Sequence, residues 1–175
     1  DTLFFQIDSN LALNLLMIIL VMGVSGSGKT SVGERLAESL GYEFADADNF
    51  HPQENINKMR NGIALNDADR LPWLQKMQDV IKQHLSENTD IVISCSSLKE
   101  SYRQMLLVNH ESVKLVYLKG SFEIIQKRLK ERQNHFMDEK LLESQFNILE
   151  EPLDAIVVDI SQPLEAIEGQ IVENL

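Results

Sequence analysis

Residues 17–30 read Met17-Ile-Ile-Leu-Val-Met-Gly23-Val-Ser-Gly-Ser-Gly28-Lys29-Thr30, and the fold turns on this stretch. An apolar, largely β-branched run from Ile18 to Val21 breaks into a glycine-rich loop that fits G-x-x-x-x-G-K-[ST] at every position. The spacing has a chemical reason. Glycines let the backbone curl so that successive N–H groups point inward at phosphate oxygens. Lys29 is placed to reach β- and γ-phosphates, and the Thr30 hydroxyl to ligate Mg²⁺. Thr30 to Leu40 has helical composition, and its positive N-terminal end adds to the phosphate site. The loop therefore implies a nucleoside triphosphate, held by Gly23, Ser25, Gly26, Ser27, Gly28, Lys29, Thr30 and Ser31.

Working outward, 175 residues with 43% hydrophobic and 25% charged side chains are ordinary for one globular domain with a sizeable core. The formal net charge of −11 argues against a nucleic-acid partner, which demands a basic face. It also means that an anionic substrate must be drawn in by a local cluster of Lys and Arg. Cys95 is the single cysteine, so no intrachain disulfide forms and a reducing, cytoplasmic setting is expected. It lies in a strand-like apolar run, where a buried inert thiol is expected rather than a nucleophile. The apolar stretch Leu11 to Val24 is too short for a membrane span and lacks a basic segment before it. Met17 stands directly before the first strand, so residues 1–16 are expected to be an extension and 17–175 a single folded domain.

Beyond the loop, strands alternate with helices. Strands are expected at Tyr42–Ala45, Asp90–Ser94, Val113–Leu118 and Ala155–Val158. Helices are expected at Gln53–Arg60, from Arg70-Leu-Pro72-Trp73 to Leu85, at Leu98–Val108, Phe122–Arg132 and Asp138–Leu149, and after Pro163. Ile63 to Asp69 reads as a polar loop. Alternation of this kind implies right-handed crossovers, hence an α/β, three-layer P-loop fold: a five-stranded parallel sheet flanked by helices.

Phosphoryl transfer needs an oriented acceptor hydroxyl, a metal and positive charge around the moving group. Asp48 follows the second strand, where ligands of open α/β sheets bind, and it is the expected acceptor-side carboxylate and a candidate metal contact beside Thr30. Asp46 reads instead as a turn or N-cap carboxylate. His51 stands next to Pro52 and either packs or faces the site. Asp67-Ala-Asp69-Arg70 reads as a solvated loop with a local ion pair. Lys99 and Arg103 are four apart and share a helix face, so both are expected to point at one anion. Arg128 and Arg132, also four apart, precede His135-Phe136 in a stretch, about 128–140, with the look of a mobile lid. Solvated basic faces are common on such helices, and position alone leaves that alternative open. Ser94 and Cys95 end the third strand, so no usual metal-binding acid is visible there.

Together these segments resemble the gluconokinase family of small P-loop kinases. The resemblance rests on the loop, on Asp46-Ala-Asp-Asn-Phe-His-Pro52, on Asn55-Ile-Asn-Lys58-Met59 with Gly62, and on Leu65-Asn-Asp67-Ala-Asp69-Arg70 with Pro72-Trp73-Leu74. Cys95-Ser-Ser-Leu-Lys99 with Tyr102-Arg103, Tyr117-Leu-Lys-Gly120, Ser144-Gln-Phe146 and Val157-Val-Asp159 with Gln162-Pro-Leu164 extend it. It implies ATP- and Mg²⁺-dependent phosphorylation of D-gluconate at its 6-hydroxyl, and a homodimer. By position it implies Asp48 at the acceptor hydroxyl, with His51, Lys58, Arg70, Lys99 and His135 around the sugar acid. Arg128 and Arg132 then belong to the lid near the phosphates, with Lys29 and Asp48 completing the catalytic set, and Gln162-Pro163 lie near adenine. Two departures stand out: Ala64 where proline is expected, and Ser97 where alanine is expected, the latter close enough to the site to affect acceptor choice. A kinase for another small anion such as shikimate, and a non-catalytic nucleotide-binding module, are the competing readings.

Overall fold

The computed structural model describes residues 15–132 and 139–175. In chain order it contains β1 (Ile18–Met22), α1 (Lys29–Leu40), β2 (Glu43–Asp46), a 3₁₀ turn (Ala47–Phe50), α2 (Gln53–Arg60), α3 (Asp67–Glu87), β3 (Ile91–Ser94), α4 (Glu100–Leu106), β4 (Val113–Lys119), α5 (Phe122–Glu131), α6 (Glu139–Ile148), β5 (Ile156–Asp159) and α7 (Leu164–Asn174). The sheet is five-stranded in the order β2-β3-β1-β4-β5, and every pairing is parallel. Each strand stands within a residue or two of its expected position.

All five residues of β1 are fully buried, because helices cover both faces of the sheet. Ile18, Leu20 and Met22 pack with Trp73, Leu74, Met77 and Ile81 of α3 and with Tyr102 and Leu106 of α4. Ile19 and Val21 face the other way, against Val32 and Leu36 of α1, Ile125 of α5, Leu142 of α6 and Ile167 and Ile171 of α7. Period-2 alternation thus assigns each residue of one short strand to one of two cores. The glycine-rich loop leaves the carboxyl end of this central strand. Gly28 ends the loop at φ 97°, a left-handed conformation that favours glycine, and α1 begins at the next residue.

Two helix starts differ from expectation. The segment read as a loop up to Asp69 already contains the first turn of α3, which begins at Asp67. Asn66 and Asp69 form a reciprocal capping box: the Asn66 side chain accepts from the Asp69 N–H at 2.8 Å, and Asp69 accepts from the Asn66 N–H at 3.0 Å. Two satisfied orphan donors outweigh Pro72, which lies inside the helix instead of opening it. Helix α4 starts at Glu100, two residues late, because Ser97 is left-handed (φ 44°) and Lys99 is extended. The last helix runs 11 residues, Leu164–Asn174.

Replacing Asn66 by Ala removes one arm of the box, and a loss of about 1 kcal/mol of stability is expected in a urea or thermal melt. An unchanged midpoint would mean that water replaces the cap at no cost.

Candidate active site

The loop and the end of β2 come together through one carboxylate. Asp46 Oδ2 accepts from the Thr30 hydroxyl at 2.9 Å, and Oδ1 accepts from the Asp48 N–H at 2.9 Å. Asp46 therefore caps the 3₁₀ turn, as expected, but it also fixes the hydroxyl that ends the phosphate motif. Sequence reasoning saw only the first role. The signal for the second was the Asp-x-Asp spacing after β2 with no acid at the end of β3, where Ser94 is buried.

Lys29 donates through Nζ to the Val24 carbonyl at 3.1 Å, which curls its side chain back over the loop. Loss of water pulls its pKa below the usual lysine range, while the charges of Asp48 and Asp46 oppose that shift. Ser25 donates its backbone N–H to Gln145 Oε1 of α6 at 2.7 Å, joining the loop to the helix beyond α5.

Three recesses run along the carboxyl edge of the sheet. One of about 370 Å³ is lined by Ser27, Ser31, Arg128, Arg132 and Gln162 among others. A second, of about 160 Å³, lies over Gly26, Gly28, Thr30, Asp48 and Arg132. A third, of about 310 Å³, is bounded by Asp48, His51, Arg60, Arg70 and Trp73. Ser25, Lys29 and Asp48 line both the second and the third. Gly28, Ser31 and Arg132 line both the first and the second. The three recesses thus adjoin one another through shared lining residues, with Lys29 and Asp48 at the junction between the recess over the loop and the third cavity. A larger groove of about 670 Å³ opens near Leu107, Val113, Pro152 and Leu175, at the amino-terminal ends of β4 and β5, and no residue of the glycine-rich loop lines it.

Among known proteins, the shikimate kinase family model matches residues 25–174. The structure of shikimate kinase from Aquifex aeolicus shares 20% identity at a TM-score of 0.55, covering 90% of this chain and 95% of that one, a likeness of fold alone. Thermoresistant gluconokinase of Escherichia coli K12 is 43% identical over 160 residues, 89% of this chain and 91% of its own length. Probable gluconokinase of Mus musculus is 42% identical, over 90% of this chain and 97% of its own. The crystal structure of a gluconokinase from Sinorhizobium meliloti 1021 matches at 41% identity and a TM-score of 0.81, covering 91% of each chain. The chain belongs to the gluconokinase family. It is a kinase with a P-loop fold, and that fold implies nucleotide binding.

Not every cation expected at this gluconokinase-family site lines the acceptor cavity. Arg70 does, held by the Leu65 carbonyl at 2.6 Å and the Tyr102 hydroxyl at 3.3 Å. Lys58 instead pairs with Asp69 at 2.7 Å, and Lys99 with Asp67 at 2.9 Å, and neither lines the cavity. Asp67 also accepts from the Tyr102 hydroxyl, so the supposed solvated loop is a hub that ties α2 and the start of α4 to the first turn of α3. Arg103 does not point at an anion with Lys99. It is 1% exposed and donates to the carbonyls of Ser97, Leu98 and Glu150 and to the Glu100 carboxylate. Arg60, at the end of α2, lines the cavity and was missed, since a lone exposed arginine carries no sequence signal.

Arg128 donates to the Ile160 carbonyl at 2.6 Å and Arg132 caps α5, both beside the loop. Gln162 lines the first recess, and Pro163 caps α7. His135 and the middle of the expected lid lie outside the described residues. Ser97 is fully buried and is not part of the cavity wall, whereas Ala64 is. Cys95 is buried, and burial pushes its thiol up to about 12, in keeping with an inert role. His51 stacks on Trp73 with ring centroids 4.4 Å apart, and burial, aided by Arg70, brings its pKa down to about 4.

Lys29→Ala should abolish turnover, because it removes the charge at the junction of the two recesses. Near-normal turnover in a coupled assay would remove Lys29 from the phosphate site.

Proposed function

We propose that this protein transfers the γ-phosphoryl group of ATP to the 6-hydroxyl of D-gluconate, giving 6-phosphogluconate and ADP. The observation that carries the reading is the shared wall. Lys29 and Asp48 border both the phosphate cradle and the acceptor cavity, in a chain 41–43% identical to curated gluconokinases. In the transfer, the acceptor oxygen attacks the γ-phosphorus as the bond to the β-phosphate oxygen breaks. The hydroxyl proton passes to Asp48, the carboxylate at that junction. Lys29 and Arg132 stabilise charge on the moving group, and Arg128 serves the nucleotide side with Gln162. Arg60 and Arg70 offer guanidinium forks to the sugar acid's carboxylate, so a protein of net charge −11 meets its anionic substrate with local cations.

Mg²⁺ suits the donors present. Thr30 and the carboxylates of Asp46 and Asp48 would hold it together with phosphate oxygens and water, as this ion prefers few protein ligands. Among the described residues there is no cluster of three or more His, Cys, Asp or Glu that would suit a dedicated all-protein cage. The chemistry the ion would supply there is positive charge against the charge that develops on the phosphoryl group. A homodimer belongs to the same reading through the family resemblance, and a reducing, cytoplasmic setting through the lone buried thiol. No helix among the described residues is long and apolar enough to cross a membrane.

The decisive assay measures ADP release from Mg²⁺-ATP with gluconate, shikimate and nucleoside monophosphates in parallel. Turnover with gluconate alone is expected, and turnover only with another acceptor would overturn the assignment. Asp48→Asn should lower kcat by about 10²-fold or more while ATP binding survives. An unchanged kcat would reduce Asp48 to a structural residue. Arg70→Ala should raise the gluconate KM by more than Lys99→Ala does, since only Arg70 lines the cavity. The reverse order would return the substrate carboxylate to Lys99.

A further inference from the structure

The acceptor cavity contains one side chain whose hydrogen-bonding role is fixed from behind. Asn55, on α2, is 3% exposed and does not line the cavity. Its Nδ2 lies 2.8 Å from the Asp69 carbonyl oxygen and 3.3 Å from His51 Nδ1. A carbonyl accepts only, so the amide must be turned with its NH₂ toward Asp69. That NH₂ has two hydrogens. One goes to the carbonyl, and the other points at the imidazole, so His51 Nδ1 is the acceptor and the ring proton resides on Nε2. Meanwhile the Trp73 ring, 13° from parallel, fixes the plane of the imidazole, and its own Nε1 donates to the Ala47 carbonyl at 2.7 Å.

Resting on the gluconate-kinase reading, we propose that Asn55 is a positioning residue that locks His51 in the neutral Nε2–H tautomer. His51 then presents a single hydrogen-bond donor to a hydroxyl or carboxylate oxygen of the sugar acid. His51 is then neither a general base nor a second positive charge. Its surroundings agree: Arg70 and Trp73 face it from α3, Arg60 shares the cavity from α2, and Lys29 and Asp48 line the cavity from α1 and the 3₁₀ turn. The Asn55 N–H aimed at Nδ1 leaves no place for a proton on that nitrogen, so the same contact disfavours an imidazolium. The division of labour follows: arginines match the substrate's charge, Asp48 takes the proton, and His51 reads the position of one oxygen.

The test uses the whole chain labelled with ¹⁵N and long-range ¹H–¹⁵N correlation of the histidine ring nitrogens at pH 5 to 8. The His51 signals are assigned by their loss in His51→Gln. An unprotonated Nδ1 and a protonated Nε2 across that range are expected, and an Nδ1–H tautomer or an imidazolium at pH 6 would overturn the proposal. Asn55→Leu should give a mixture of tautomers and raise the gluconate KM by about ten-fold, the worth of one neutral hydrogen bond, while kcat and the ATP KM change by less than about two-fold. A variant with wild-type gluconate KM would equally count against it. Should that variant fail to fold, the spectrum of the unaltered protein still decides. The Nε2–H tautomer without gluconate turnover would sink the functional reading and keep the tautomer lock, and turnover with an Nδ1–H ring would do the opposite.

Discussion

Complete burial of β1 is the constraint on which the rest is built. A strand covered on both faces must be apolar at every position, and Ile18–Met22 is. Its neighbours β3 and β4 complete its backbone hydrogen bonds, so the chain can leave only at the carboxyl end, where the glycine-rich loop begins. The loop inherits its position from a strand that is buried on both faces. That is what preorganised phosphate binding requires, since N–H groups that had to be gathered on each turnover would cost conformational entropy.

The site is assembled by polar side chains that each hold two partners. Asp46 fixes the Thr30 hydroxyl and the turn bearing Asp48. Arg70 is clamped by a carbonyl and the Tyr102 hydroxyl before it can meet a ligand. Asp69 uses its carboxylate both to cap the start of α3 and to tie down Lys58, and Asp67 holds Lys99 and the Tyr102 hydroxyl. Hydrogen bonds hold both carboxyl groups below the usual range, from the Tyr102 hydroxyl and then Lys99 at Asp67 and from Lys58 at Asp69. Ion pairs of this exposed kind add little stability one at a time. Their value here is geometric, because they join the elements that form the cavity wall.

The sheet and its loop were legible because periodicity and a gapless motif report directly on burial and backbone shape. The start of α3 was not. Pro72 is a strong local signal for a helix start, whereas the Asn66–Asp69 box is a reciprocal contact that only a formed turn displays. Side-chain aim was harder still. Residue type announced that Lys58, Lys99 and Arg103 are cationic, yet each is claimed by a carboxylate or carbonyl from elsewhere in the chain. Arg60 shows the converse: nothing local distinguishes it, and it lines the cavity only because α2 ends there. Asp46 and Asp48 could be ranked by sequence for one role each, but not for a carboxylate that serves two at once.

Trp73 belongs to two compartments. It is 1% exposed and packs in the same core as Met77 and Ile81, yet its indole also closes the floor of the acceptor cavity beneath His51. Selectivity and foldedness are therefore inherited together at that position, and a smaller ring there would open the pocket and hollow the core in one step. Divergence toward other acceptors has a freer route elsewhere in the cavity. Ile56, Met59 and Ala64 also line the cavity, and none of them is fully buried. Two parts of one pocket are thus under different physical constraints: one is anchored by the core, and the other is free of it.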